Sequence, residues 1–313
     1  MNTSIRLLQE SELLTAEHIF RSAFGTFVGL PQPTDFCSDM NYIPSRWKVD
    51  PTAAFAAEVE GKLVGSNIAT HWGSVGHFGP LSIHPDFWNQ GIAQLLIEAV
   101  MTRFTEWSTQ HAGLFTFPNS PKHHALYQKF GFYPRFLTFI MAKPIENNHQ
   151  ELPGTQYSAL EPPQRSHCLK ECAQLTDSIY SGLDLSREIE AVQAQGLGDT
   201  VLLWDEKGLA GFAICHCGAG TEAGTDVCYV KFGAVRPDGK AGEQFERLLD
   251  LCEAFGATQN LLRLVAGVNT SHDAAYTRMV ARRFRTEITG VAMYQLNQPG
   301  YDRSDVFVLD DWR

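Results

Sequence analysis

The sequence predicts an α+β protein built from two similar units in tandem. Three observations carry that expectation. The chain has 313 residues, more than the about 100–200 of an ordinary domain. Strand-like apolar runs alternate with amphipathic helical stretches along its length. Landmarks of the first half also return, in the same order, in the second.

Two of those landmarks are turns. Glu60-Gly61-Lys62-Leu63-Val64-Gly65 has a counterpart in Glu206-Lys207-Gly208-Leu209-Ala210-Gly211. Each reads as a tight hairpin entering an apolar strand, with glycine supplying the positive φ that such turns need. Ile83-His84-Pro85-Asp86 returns 152 residues later as Val235-Arg236-Pro237-Asp238, and Asn119 and Asn269 follow those prolines by 34 and 32 residues.

In the first half, residues 54–59, 63–71 and 75–83 read as strands. Ile92, Leu95, Leu96, Ala99, Val100 and Phe104 then draw the apolar stripe of one helix. A strand over 113–117, a helix over 121–130 and a strand over 133–142 follow. In the second half the matching helix buries Phe245, Leu248, Leu249, Cys252 and Phe255. After it come a strand over 261–268, a helix over 272–282 and a strand over 285–294. Residues 146–165 are polar, hold Pro153, Gly154, Pro162 and Pro163, and read as a linker. That places the units at 1–145 and 166–313, the second opening on helix over 166–195.

Composition excludes several classes. With 44% hydrophobic residues, the chain is neither disordered nor fibrous. Its 25 basic against 35 acidic side chains, net −10, argue against nucleic acid and lean toward cationic substrates. No apolar run approaches the roughly 20 residues of a membrane span, and Met1-Asn2-Thr3-Ser4-Ile5-Arg6 has no signal-peptide character. Seven cysteines without a CxxC pair suit free thiols in the cytoplasm. Cys215-His216-Cys217 fits one strand with two core thiols, so no metal is expected.

The most chemical stretch is Leu81-Ser82-Ile83-His84-Pro85-Asp86-Phe87-Trp88-Asn89-Gln90-Gly91-Ile92-Ala93. A strand stops at a proline, and Gly91 opens an amphipathic helix. Unpaired N–H groups at a helix start, with the positive end of its dipole, form an anion site. Small residues at 91 and 93 let a diphosphate approach the main chain. Downstream stands Asn119-Ser120-Pro121-Lys122-His123-His124-Ala125-Leu126-Tyr127-Gln128-Lys129-Phe130-Gly131-Phe132. Ser120 is placed to cap a helix, Pro121 to begin it and Gly131 to end it.

Together these residues resemble the GNAT superfamily of acyl-CoA-dependent N-acyltransferases. The match rests on the His-Pro after a strand, Gly91 and Ala93 at the helix start, and Asn119, Ala125, Tyr127, Gly131 and Phe132 downstream. Trp88 departs from the family's usual Gln or Arg, and Asn89 from its common Gly. The resemblance covers about residues 5–143 and, through the repeat, extends to about 155–295. It implies two GNAT-like units, each a mixed, mostly antiparallel twisted sheet flanked by helices.

The resemblance further implies direct attack of a small-molecule amine on acetyl-CoA in a ternary complex. Leu81, Ser82 and Ile83 would face the thioester and Asn119 the pantetheine arm. Trp88, Asn89, Gln90, Gly91, Ile92 and Ala93 would hold the diphosphate, and Tyr127 would protonate the leaving thiolate. His71, His77 and His84 are the nearest candidates for a base. The second copy reads as degenerate: Pro237-Asp238-Gly239-Lys240-Ala241-Gly242-Glu243 has no G-x-G/A, Met279 stands for Tyr127 and Arg283 for Gly131. Residues 24–47, with Phe24, Phe27, Phe36, Tyr42 and Trp47 beside Asp35 and Asp39, would line a cationic acceptor's pocket or form a packed lid. No nucleic-acid or membrane partner is expected, and a homo-oligomer stays open. A non-catalytic acyl-CoA sensor and an aminoacyl- or peptidyl-transfer relative are the competing readings.

Overall fold

In the computed structural model, which describes residues 3–146 and 154–313, the first half runs β1 (Thr3–Leu7), α1 (Leu13–Val28), α2 (Ile43–Val49), β2 (Ala54–Val59), β3 (Lys62–Trp72), β4 (Val75–Phe78), β5 (Ser82–Ile83), α3 (Ile92–Glu106), β6 (His111–Thr116), α4 (Pro121–Gln128) and β7 (Phe132–Pro144). The second runs β8 (Thr155–Gln156), α5 (Pro162–Ile179), α6 (Ser186–Gln195), β9 (Gly198–Asp205), β10 (Gly208–Cys217), β11 (Val227–Val235), α7 (Ala241–Thr258), β12 (Arg263–Asn269), α8 (Asp273–Ala281), β13 (Arg285–Gln295) and β14 (Val308–Asp310). Helices flank a mixed sheet, the α+β class that the patterning predicts.

Three local expectations need correction. The strand expected over 75–83 breaks at Pro80 into β4 and β5, because proline has no N–H to give a ladder. The α3 stripe turns slightly, so that Leu95 is exposed and Ile97 is buried instead. Within the expected linker, part of which (147–153) lies outside the described residues, β8 pairs with β9, Tyr157 is buried and α5 already begins at Pro162. Proline is favoured at the first helical position, where its missing N–H is no loss.

One feature was invisible to patterning. The sheet order is β1-β2-β3-β4-β6-β13-β7-β12-β11-β10-β9-β8, so the closing strands of the two halves are exchanged. β13 pairs antiparallel with β6, Val291 opposite Thr116, while β7 pairs with β12, Phe139 opposite Val268. A single sheet therefore runs through both halves. Trp72 and Val75 share one buried apolar cluster with Cys172, Ile189 and Phe232, so the core also crosses the seam.

Candidate active site

The site begins where two parallel strands part. β4 and β6 pair through Val75 and His111, Gly76 and Ala112, and His77 and Gly113. Beyond that rung β4 leaves β6. The chain continues into β5, which pairs only with β3 (Gly65 with Ile83, Ser66 with Ser82). The His84 N–H donates to the Val64 carbonyl, 2.8 Å, so strand alternation turns the Leu81 and Ile83 N–H groups toward the gap. The gap is a free strand edge.

That edge leads straight to the start of α3. Gly91 is the N-cap residue, with φ +82, and Asn89 is also left-handed at φ +63. A Cβ on Gly91 would meet no atom within 4 Å. Among the described residues, the main-chain N–H groups of Asn89, Gln90, Gly91, Ile92 and Ala93 find no acceptor. This is an open cradle of amides of the kind that accepts a phosphate.

Trp88 does not block this bend. Its indole N–H donates to the Ile83 carbonyl, 2.7 Å, and the Lys122 ammonium lies over the ring, 5.4 Å from its centre. The indole thus spans from the end of β5 to the start of α4 and occupies one carbonyl of the free edge, while the edge N–H groups stay available.

Tyr127 closes the far side. It is buried, its ring 6.0 Å from that of Phe78 at the end of β4. Burial pushes its phenol well up, opposed by the Thr116 hydroxyl, so the group stays protonated at neutral pH. Asn119 is exposed in the turn before α4. Pro121 begins that helix as expected, but the Ser120 hydroxyl makes no cap bond. Its carbonyl instead accepts from the N–H groups of His123 and His124, both at 3.1 Å.

Of the three candidate bases, His77 alone stands at the parting rung. His71 stacks on Trp107 of the α3 face at 4.5 Å, and the ring of His84 accepts from the Asp86 N–H. His77 is buried against Trp72 and parallel to Trp312, ring centres 5.6 Å apart. Both its ring nitrogens lack a hydrogen-bond partner. Burial and the nearby Arg46 push its pKa well below the ordinary imidazole range, so it is neutral at pH 7.

Sequence reasoning missed the groups that gather on this face. Arg46 clasps Glu222 with two N–H groups, at 2.9 and 2.7 Å. A third donates to the Gly79 carbonyl at the gap, 2.9 Å. Lys231 bridges Glu222 and Glu188, at 2.8 and 2.9 Å. Residues 311–313 thread the same seam. A Cβ on Gly113 would collide with the Trp312 ring, and one on Gly267 with Asp311, so both glycines are required by close approach. No local pattern announces such partners. Phe24, Phe36 and Tyr42 gather around Phe20 of α1, ring centres 4.9–5.7 Å from it, and Asp39 accepts from the Thr225 N–H. This segment therefore reaches the second half through Asp39, while Phe27 meets Phe117 and His123 beside α4, ring centres 5.0 and 4.9 Å apart.

The second half has the same parting strands with a different content. β11 and β12 pair in parallel from Val227 and Arg263 to Val230 and Ala266. Past that point β14 takes the place beside β11, with Phe232 opposite Asp310 and Ala234 opposite Val308. The turn before α7 caps itself: the Asp238 carboxylate accepts from the Lys240 N–H at 2.8 Å, and its carbonyl accepts from Ala241. Among the described residues no group of three or more His, Cys, Asp or Glu is placed to hold a metal. None of the described helices is long and apolar enough to cross a membrane.

Comparison with known proteins agrees with this geometry. Residues 16–132 match the model of the Acetyltransferase (GNAT) family. A sequence comparison with the curated proteins finds no match. Among solved structures, a proposed acetyltransferase from Pyrococcus horikoshii is similar over 97% of this chain and 93% of its own, TM-score 0.67, at 14% identity. A GCN5-related N-acetyltransferase from Sphaerobacter thermophilus covers 96% and 98%, TM-score 0.60, at 14% identity. One from Anabaena variabilis covers 94% and 73%, TM-score 0.52, at 16% identity. At such identities the likeness speaks for fold, and it extends over both halves. Residues 16–132 are therefore similar to the GNAT family, set in a chain whose whole fold these acetyltransferase structures share.

Proposed function

We propose that this protein is an acetyl-CoA-dependent N-acyltransferase that acts on a small-molecule amine, with one transfer site, in the first half. The observation that carries the reading is two sets of unspent N–H groups, those of Leu81 and Ile83 on the free edge and those of Asn89 to Ala93 at the start of α3. When bound, acetyl-CoA supplies an acyl group on a thioester, and the cradle at Gly91 fits its diphosphate. The Leu81 and Ile83 N–H groups face the thioester oxygen, where such preorganised donors contribute about 3–4 kcal/mol to lowering a barrier. The amine nitrogen bonds to the acyl carbon and the carbon–sulfur bond breaks. Tyr127 gives its proton to the sulfur. Solvent takes the proton that the amine must lose, because burial makes His77 a poor proton acceptor. Asn119 faces the pantetheine arm.

On this reading the second half, which opens at β8, is a degenerate copy that completes the acceptor side. Its own slot is filled by β14, and Asp238 occupies its anion-binding turn. The seven cysteines, all unpaired, suit a reducing cytoplasm. Trp88 favours a second reading, a non-catalytic acyl-CoA sensor, because its indole already occupies the Ile83 carbonyl. Titration calorimetry with acetyl-CoA should show one site per chain, and thiol release with a panel of amines should be catalytic. No binding would sink both readings. Binding without turnover would favour the sensor, and two sites per chain would overturn the assignment of the second half.

A further inference from the structure

The charges buried in the seam are matched. Arg46, in α2, is 5% exposed, and its guanidinium lies over the Tyr42 ring, 5.2 Å from the ring centre. Of the five N–H groups of an arginine, two here clasp Glu222, one donates to the Gly79 carbonyl at 2.9 Å and one to the Arg313 carbonyl. Glu222 also accepts from Lys231, which pairs in turn with Glu188. Such a network has little left to offer a ligand. It is suited to holding main chain still, because a planar fork fixed on a carboxylate leaves a buried guanidinium few other geometries.

The carbonyl that Arg46 holds stands just before the free edge. Gly79 follows β4, and its N–H donates to the Ile68 carbonyl of β3 at 2.9 Å. Its carbonyl belongs to the peptide unit that leads into Pro80, and the next peptide unit carries the Leu81 N–H. Each residue has two soft backbone angles, and the proline ring fixes one of those at Pro80. A single free rotation therefore separates the peptide that Arg46 grips from the Leu81 donor. Beyond Leu81, the pairing of Ser82 with Ser66 and of Ile83 with Gly65 holds the chain again. Leu81 is thus suspended between two fixed points, and one of them is a side chain.

The grip on Arg46 comes from the second half. Glu222 lies in the turn between β10 and β11, and that turn is docked on residues 39–41. The Gly220 N–H donates to the Asp39 carbonyl at 2.7 Å, and the Asn41 N–H to the Thr221 carbonyl at 3.0 Å. The Thr225 N–H donates to the Asp39 carboxylate at 2.6 Å. We propose that Arg46 is a positioning residue for the Leu81 N–H, and that Glu222, by orienting Arg46, brings the second half to bear on the thioester end of the site. This role rests on the transferase reading, in which the Leu81 N–H faces the thioester oxygen.

The test uses the full-length protein, acetyl-CoA and an amine that supports thiol release. Arg46→Lys keeps a charge beside Glu222, but an ammonium cannot form the fork and reach Gly79 together. It should lower kcat about ten- to hundredfold, as when a donor to a developing oxyanion is misplaced, with acetyl-CoA affinity by calorimetry nearly unchanged. Glu222→Gln keeps the shape of the partner and should lower kcat in the same sense, which carries the comparison should Arg46→Lys not fold. Glu188→Gln perturbs the same buried network without touching Arg46 and should leave kcat near that of the unaltered protein. An unchanged kcat in Arg46→Lys and Glu222→Gln, a parallel loss of acetyl-CoA affinity, or an equal loss of kcat in Glu188→Gln overturns this role and leaves the transferase reading standing. If the unaltered protein turns over no amine, that reading falls and amide hydrogen exchange decides whether Arg46 pins the chain. Faster exchange of the Gly79 N–H in Arg46→Lys or Glu222→Gln supports the pin, and an unaltered rate overturns it.

Discussion

The two halves part their strands in the same way and then treat the opening oppositely. Between β4 and β6 the edge stays bare and runs into a helix start whose five amides have no acceptor. Between β11 and β12 the chain lays its own strand β14 into the opening, and an aspartate supplies the negative group that the helix start attracts. Backbone donors attract acceptors wherever they are not already satisfied. A splayed strand pair is therefore a binding site only for as long as the protein leaves it unfilled. Similar frames thus give one bare opening and one internal joint.

The contrast can be broken most sharply at the helix starts. Gly91→Glu puts a carboxylate into the bare cradle and should weaken acetyl-CoA binding more than a hundredfold by calorimetry. Gly242→Glu should leave it unchanged, because the Arg278 guanidinium is the nearest group to that position and is able to neutralise the new charge. Equal losses in the two variants would mean that the active half is misassigned. Thermal melts control for the strain of a side chain at φ +82 in Gly91→Glu.

A second contrast concerns Tyr127, whose counterpart by alignment is Met279. Tyr127→Phe should lower kcat ten- to hundredfold with acetyl-CoA affinity nearly unchanged, and a normal rate would remove the phenol from the mechanism. The smallest effect should come from the filled slot. Burial raises the Asp310 carboxyl on β14 to about 7, so the folded state holds its proton where the unfolded chain has lost it. Stability should be highest below about pH 4 for this group and fall as pH rises through 7. Asp310→Asn should flatten that slope by an amount of order 1 kcal/mol, read from denaturant melts at pH 5 and 8. An unaltered slope would show that this carboxyl does not titrate within β14.

Much of the frame was legible from residue order. The stripe from Ile92 to Phe104 marked α3, and Pro85 with Gly91 marked the turn. Asn119, Pro121, Tyr127 and Gly131 marked α4 and its ends. These signals are local: each depends on backbone preferences and on periodicity within one or two turns of chain. What could not be read was every decision made between distant segments. Nothing in the strand at 285–295 says that it lies beside 111–116 and not beside 263–269, since an apolar strand accepts any edge of matching face. Arg46 and Glu222 are 176 positions apart, and as isolated letters each resembles a surface residue.

Residue order by itself thus determined the elements, the amide-rich turn and the phenol beside it, because turn and helix chemistry acts over a few neighbouring positions. The tertiary structure alone decided which opening stays bare, which is filled by β14, and which charges line the seam. Those outcomes depend on long-range packing and on which donors are left without acceptors once the chain has closed on itself.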